Sequence, residues 1–181
     1  RMERAAFLDR DGTINEEAGH ITDPGKFELI PGSIDAMNRL RDAGFLLPLI
    51  TNQAGVGRGL MTEQQLNRVL DAFQDLLKTE GTHLDGVYYC PHHPEEAKGA
   101  YRKVCDCRKP GPELLLRAAR DLDVDLEQSY MIGDHWSDVE AGLAAGCEAI
   151  LLRTGHGRQE IEKQTKDQLD RAAYVAENLV D

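Results

Sequence analysis

At 181 residues, 41% of them hydrophobic and 29% charged, with a net charge of −11, the chain has the make-up of one globular domain. Such an acidic protein is unsuited to nonspecific binding of nucleic acid or anionic membrane, both of which require a basic surface. No apolar stretch is long enough to cross a bilayer and no basic-plus-apolar leader opens the sequence, so a cytoplasmic setting is expected.

Arg1 ahead of Met2 is set aside, leaving a single domain expected over 2–181. The run Ala5-Ala6-Phe7-Leu8 predicts a buried strand, and Asp9-Arg10-Asp11-Gly12-Thr13 follows it directly. A polar loop reaches to about Leu29. A helix is expected from Ser33, with Ile34, Met37 and Leu40 on one face and Gly44 as its stop. A second strand, Phe45 to Ile50, ends at Thr51-Asn52-Gln53; Pro48 inside it implies an edge position or a bulge. A Gly-rich loop, Gly55 to Gly59, then leads to the capping-box pattern Thr62 to Gln65. Leu66, Val69, Leu70, Phe73, Leu76 and Leu77 line the helix that this box opens.

The third strand is Val87 to Tyr89, followed by a loop with Cys and His and a helix from about Pro112. A fourth, Tyr130 to Ile132, runs into Gly133-Asp134, with Ser137 and Glu140 expected to cap the next helix. Ala149 to Leu152 is the fifth, Gln159 to Arg171 reads as one solvated helix, and Tyr174-Val175 as a short last strand. Strands alternating with helices indicate a parallel α/β sheet. Asp9, Thr51 and Asp134 then each fall at the carboxyl end of a strand, the edge where open α/β sheets bind ligands. Asp9 and Asp11, two residues apart, point the same way. One carboxylate can attack an electrophile while the other handles protons, and together they can hold a hard cation.

Cys90-x-His92 and Cys105-x-Cys107 provide the soft tetrahedral donor set that zinc prefers. With four ligands the site would be closed and structural, ordering the loop that delivers Arg108 and Lys109. His93 is an alternative fourth ligand. Cys147, the remaining cysteine, reads as a buried thiol.

Asp9-x-Asp11, Thr51, Arg108-Lys109 and Gly133-Asp134-x-x-x-Asp138, in that order over nearly the whole chain, resemble the four motifs of the haloacid dehalogenase superfamily of phosphohydrolases. The resemblance implies a Rossmann-like parallel sheet flanked by helices, and a Mg²⁺-dependent phosphoric monoester hydrolase. Asp9 would be the nucleophile, forming an aspartyl-phosphate, and Asp11 the acid and then the base. Thr51 and Lys109 would hold the phosphoryl oxygens. Asp9, Asp134 and the main-chain carbonyl of Asp11 would hold Mg²⁺, with Asp138 placed behind them. The chemistry is consistent: phosphoryl transfer is mainly positioning plus charge stabilisation, and Mg²⁺ with Lys109 relieves repulsion between two anions. Asp11 must hold a proton near neutral pH, which asks for apolar or like-charged surroundings. The usual cap-insertion points hold only the loop from Ile14 to Leu29 and the zinc-type loop, so a capless member with a zinc-stapled loop is expected.

Within the superfamily, Asp-Arg-Asp-Gly-Thr, Thr51-Asn52-Gln53, Cys90-Pro91-His92-His93-Pro94 and Cys105-Asp106-Cys107-Arg108-Lys109-Pro110 look most like the heptose 1,7-bisphosphate 7-phosphatases. Histidinol-phosphate phosphatases share the plan. The resemblance implies a small phosphorylated sugar as partner; a monomer is expected. Asn52, Gln53, Arg58 and Arg108 would contact the substrate, joined by Glu17, Gly19 and His20 of the first loop. Lys98, Arg102 and Lys103 would add a basic patch. Two departures border the expected pocket: His135-Trp136 where the family often has Lys, and Glu16-Glu17-Ala18-Gly19-His20 in place of Asp-His-Gly-Tyr. A noncatalytic phospho-acceptor domain is the rival of another class, but its acid lies on a middle strand and lacks the Asp-x-Asp-x-Thr spacing. A zinc-stapled interaction module leaves the acids unexplained.

Overall fold

Successive side chains of a strand face opposite ways, and in β1 (Arg4–Leu8) both sets are apolar: Ala5 and Phe7 on one face, Ala6 and Leu8 on the other. A strand buried on both faces demands cover on both, as in a parallel sheet flanked by helices. The computed structural model, which describes residues 2–16, 27–105, 107–172 and 174–179, has that architecture. β3 (Pro48–Asn52), β4 (Gly86–Cys90), β5 (Tyr130–Gly133), β6 (Glu148–Leu152) and β7 (Tyr174–Ala176) join β1 in the order β4-β3-β1-β5-β6-β7. The two-residue β2 (Phe45–Leu46) pairs with the start of β1, and every pairing is parallel.

One core lies between the sheet and the helices α1 (Ser33–Asp42) and α3 (Glu63–Thr79), where Ala6, Leu8 and Leu49 meet Met37, Leu66 and Phe73. The other lies under α4 (Glu113–Leu122) and α5 (Trp136–Ala145), where Phe7, Ile50 and Met131 meet Leu114, Ala118 and Ala141. The chain leaves β1 toward β3 and β4, then crosses back to β5 on the other side. The strand order therefore reverses at β1, and its carboxyl end opens into a crevice beside that of β5.

Pro48 sits neither at a sheet edge nor on an outer strand. The second strand instead breaks at Leu47, whose N–H donates to Asp85 Oδ2 (2.7 Å) while its carbonyl accepts from Asp85 N (2.9 Å). Pro48 then begins β3, a position where a strand tolerates proline. Part of the Gly-rich loop is the short helix α2 (Ala54–Gly57). The Thr62–Gln65 box caps α3 as expected. Ser137 and Glu140 do not cap α5; the Asp138 carboxylate does, accepting from His135 N at 3.1 Å. The segment Gln159 to Arg171 is two helices, α6 (Gly157–Lys163) and α7 (Lys166–Asp170). They divide because Thr165 and Gln168 form a second capping box, which starts a new helix. Among the described residues no further folded domain is inserted after β1 or between β4 and α4, and no helix is long and apolar enough to cross a membrane.

Candidate functional site

The strand ends assemble a buried charge cluster. Asp9 follows β1 and is fixed by its own N–H donating to Ile132 O of β5 (3.1 Å). Lys109 is delivered from the segment before α4, where Asn52 at the end of β3 grips its backbone. Lys109 N donates to Asn52 Oδ1 (3.0 Å) and Asn52 Nδ2 to Lys109 O (3.3 Å). The Lys109 ammonium lies 3.0 Å from Asp9 Oδ1 and 2.5 Å from Asp138 Oδ1, and donates to Ile50 O at 2.9 Å. Asp134, at the end of β5, accepts from His156 N (2.8 Å) and faces His135 Nδ1 (3.0 Å).

All three acids are buried, and for Asp134 and Asp138 burial works against the charged form. It raises the Asp134 carboxyl above its usual range. Burial together with the field of Asp9 pushes Asp138 up to about 7. For His135, burial opposes the charged form, but the hydrogen bond and charge of Asp134 outweigh it and push the imidazole up to about 9. Lys109 is likewise desolvated, yet Asp138 and Asp9 hold its pKa above the ordinary lysine value. Asp9 and Asp138 thus share the Lys109 ammonium while Asp134 pairs with the His135 imidazole, and three clustered carboxylates offer the oxygen ligands a divalent cation takes. Ligand atoms of Asp9, Asp134, His135 and Asp138 lie within 4.8 Å of one another. The space beside Asp134 is kept open by two glycines with positive φ, Gly12 (+82°) and Gly155 (+54°); a Cβ on either would run into Asp134 Oδ2. Gly12→Ala should therefore displace that carboxylate and weaken divalent-cation binding about tenfold or more. Calorimetric Mg²⁺ titration checks this; unchanged affinity would show that Asp134 is not a ligand.

Among the described residues the partners of the Asp11 carboxylate are a guanidinium and an amide, not apolar or like-charged groups. Asp11 accepts from Arg10 Nε (3.2 Å) and Nη2 (2.8 Å) and from Asn15 Nδ2 (2.9 Å). Its side chain stays outside the carboxylate cluster, as a main-chain role in cation binding allows. Thr51 is buried at the end of β3, and its hydroxyl accepts from Gln53 Nε2 at 3.0 Å.

A cavity of about 500 Å³ opens above this cluster, lined by Asp9, Asp11, Thr51, Asn52, Gln53, Lys109, Asp138 and His135 on the strand side. Arg58, His93, Glu96, Arg108 and His156 form its outer wall. Arg58 pairs with Glu96 (3.4 Å), and Arg108 Nη1 donates to His92 O (3.3 Å). A larger cavity, about 640 Å³, lies against the apolar face of β5–β7 and carries none of this chemistry. Lys98, Arg102 and Lys103 do not line this cavity; among the described residues its arginines and lysines are Arg58, Arg108 and Lys109. Trp136 is likewise not at the pocket; it packs against Val139, Ala149 and Leu151. Glu17, Gly19 and His20 lie outside the described residues. Asp138 proves more central than expected, because the helix turn at α5 aims it at Lys109. His156 was missed, although Thr154-Gly155-His156 follows β6 at the same sheet edge as the other polar residues.

Beside the cavity, Cys90, His92, Cys105 and Cys107 bring four donor atoms within 4.8 Å of one another. His92 Nδ1 lies 3.3 Å from Cys107 Sγ, and Cys105 Sγ 3.4 Å from Cys90 Sγ. His93 is not the fourth donor; its Nδ1 accepts from Glu95 N and Glu96 N in a turn. Thiolates and imidazole at this spacing match a tetrahedral zinc set. Cys147 sits in the core, where burial pushes its thiol up to about 12.

Residues 106–181 match a family model described as HAD-hydrolase-like. The chain is 41% identical over 181 residues to D-glycero-beta-D-manno-heptose-1,7-bisphosphate 7-phosphatase of Pasteurella multocida, covering 99% of this chain and 95% of that protein. It is 46% identical over 152 residues to the protein of the same name in Escherichia coli, covering 83% and 80%. A crystal structure of D,D-heptose 1.7-bisphosphate phosphatase from B. bronchiseptica, complexed with magnesium and phosphate, superposes with a TM-score of 0.83 at 33% identity, covering 98% of this chain and 94% of that one.

Proposed function

We propose, from the premise that this chain belongs to the HAD-like hydrolases and among them to the D-glycero-beta-D-manno-heptose-1,7-bisphosphate 7-phosphatases, that it hydrolyses the 7-phosphate of that sugar through an aspartyl-phosphate on Asp9. The observation that carries the reading is the setting of Asp9: a buried carboxylate at the strand-order switch, 3.0 Å from a buried ammonium and on the floor of a polar cavity.

In this reading Asp9 attacks phosphorus while Lys109 and Thr51 engage the phosphoryl oxygens. Asp9, Asp134 and the Asp11 carbonyl would hold Mg²⁺, whose charge, when bound, offsets repulsion between nucleophile and phosphate. Asp11 gives a proton to the departing sugar oxygen and later takes one from the water that opens the aspartyl-phosphate. Asn52, by holding the Lys109 backbone on both sides, fixes the ammonium more than it touches substrate. The magnesium and phosphate named with the B. bronchiseptica structure support the metal assignment, and the clustered thiols support structural zinc. Four unbridged cysteines fit a reducing cytoplasm.

Arg108 supplies specificity. It lines the outer wall while Lys109 lies on the floor, so a sugar reaching Asp9 with one phosphate brings its other end toward Arg108. Remote binding energy then orients the reacting end. Arg108→Ala should lower kcat/KM for the bisphosphate about 100-fold and for a generic aryl phosphate only about threefold or less. Equal losses on both would make Arg108 structural. Side-by-side kcat/KM values for the heptose bisphosphate and histidinol phosphate test the substrate itself, and a higher value for histidinol phosphate would overturn the assignment.

A further inference from the structure

Arg10 stands between the two acids of Asp9-x-Asp11, and its side chain is 1% exposed. It does not line the cavity, yet its guanidinium turns back to grip Asp11 through both Nε and Nη2. Its carbon Cζ lies 5.1 Å from the ring centroid of Phe27 and 5.9 Å from that of Phe73, two rings that also pack on each other. Among the described residues Nη1 has no hydrogen-bond partner. Among the described residues Asp11 is the one acid paired with this guanidinium.

Stability alone is a poor reason for such a residue. Burying a cation with one donor left idle is unfavourable, and a well-packed apolar side chain there is often as good or better. What the guanidinium does provide is geometry. Its two donors set the plane of the Asp11 carboxylate, the aromatic rings keep the fork from shifting, and the buried Asn15 adds a third donor to Oδ1. We infer that Arg10 is a positioning residue, which holds the Asp11 carboxylate in the orientation that proton transfer to and from the reacting oxygen requires. The inference rests on the acid–base role given to Asp11 above. Proton transfer demands hydrogen-bond reach to the reacting oxygen, and small misplacements at that atom are expensive.

The leaving group separates positioning from packing. A sugar alkoxide needs its proton as the P–O bond breaks, whereas p-nitrophenolate departs without one. Because kcat/KM reports only as far as phosphoryl transfer to Asp9, it isolates that step. Arg10→Met keeps length and loses the fork. It should lower kcat/KM for the heptose bisphosphate about tenfold or more and for p-nitrophenyl phosphate about threefold or less. On an Asp11→Asn background it should add nothing further. Equal loss on both substrates, or an additive loss on that background, would overturn the inference. Should Arg10→Met fail to fold in a thermal melt, Asn15→Ser must show the same leaving-group dependence, and its absence would be equally fatal. If Asp11→Asn alone affected both substrates equally, the acid–base role of Asp11 would fall and the positioning role with it. Leaving-group dependence in Asp11→Asn but not in Arg10→Met would sink the positioning role alone.

Discussion

Asp9→Asn is expected to lower phosphate release by more than about 1000-fold while the protein stays folded. The substitution keeps the shape of the side chain but replaces an anionic nucleophile with a neutral amide. Folding should tolerate it, because Asp9 is one of three clustered acids and shares the Lys109 ammonium with Asp138. Removing its charge relieves repulsion on Asp134 and Asp138, both of which burial already holds above the usual carboxylate range. Lys109 keeps Asp138 as its partner at 2.5 Å. The melting temperature of the metal-free variant should therefore equal or exceed that of the parent. Phosphate release at the parental rate would remove Asp9 from the mechanism.

The second large effect is expected from the thiol cluster. Cys105→Ser should release one zinc per chain and loosen the loop between β4 and α4, raising KM more than it unfolds the core. The reason is proximity. Cys107 directly precedes Arg108 and Lys109, and Arg108 leans on the His92 carbonyl, so two of the proposed ligands flank the groups proposed to meet phosphate. A structural zinc contributes roughly 10 kcal/mol or more of binding free energy, which the loop must otherwise find from its own contacts. Those anchor its middle, through Tyr101 on Glu63 and Lys98 N on Gly57 O, but leave the stretch before Cys105 open, where Val104 is 87% exposed. Cys90, Cys105 and Cys107 border one core and Tyr101 the other, but both cores are filled mainly by the strands and long helices, so unfolding should remain cooperative. Elemental analysis of chelator-free protein and of the variant checks this. An absence of zinc in the parent, or unchanged zinc in Cys105→Ser, would contradict it.

Much of this architecture was legible because buried parallel strands write apolar runs, and polar residues at their ends stand out against them. Asp9, Thr51 and Asp134 fall at one sheet edge on that basis, and the structure brings them there. The errors are equally physical. Pro48 suggested an edge because a proline removes a ladder donor; Asp85 supplies a partner to Leu47 from outside the strand, and sequence spacing carries no sign of it. One helix was read over Gln159 to Arg171 because its charge pattern is continuous, although Thr165-x-x-Gln168 announced a fresh start. For α5, the spacing points to Ser137 and Glu140 as the cap, with Asp138 placed behind the cation ligands. Asp138 caps the helix instead, and the fold also aims it at Lys109, 29 positions earlier, a contact set by tertiary packing. The pairing of Arg10 with Asp11 escaped notice because period-two alternation sends neighbouring side chains apart. A long flexible arginine reaches back across that divide.

The central claim is that Asp9 receives the 7-phosphoryl group of the heptose 1,7-bisphosphate while the 1-phosphate stays on the sugar. Phosphorus NMR of the synthetic bisphosphate incubated with the protein and Mg²⁺ tests it most directly. The account predicts that the resonance of the primary 7-phosphate is replaced by inorganic phosphate while the anomeric 1-phosphate resonance persists. Loss of the anomeric resonance first, or no release from either position, would contradict it.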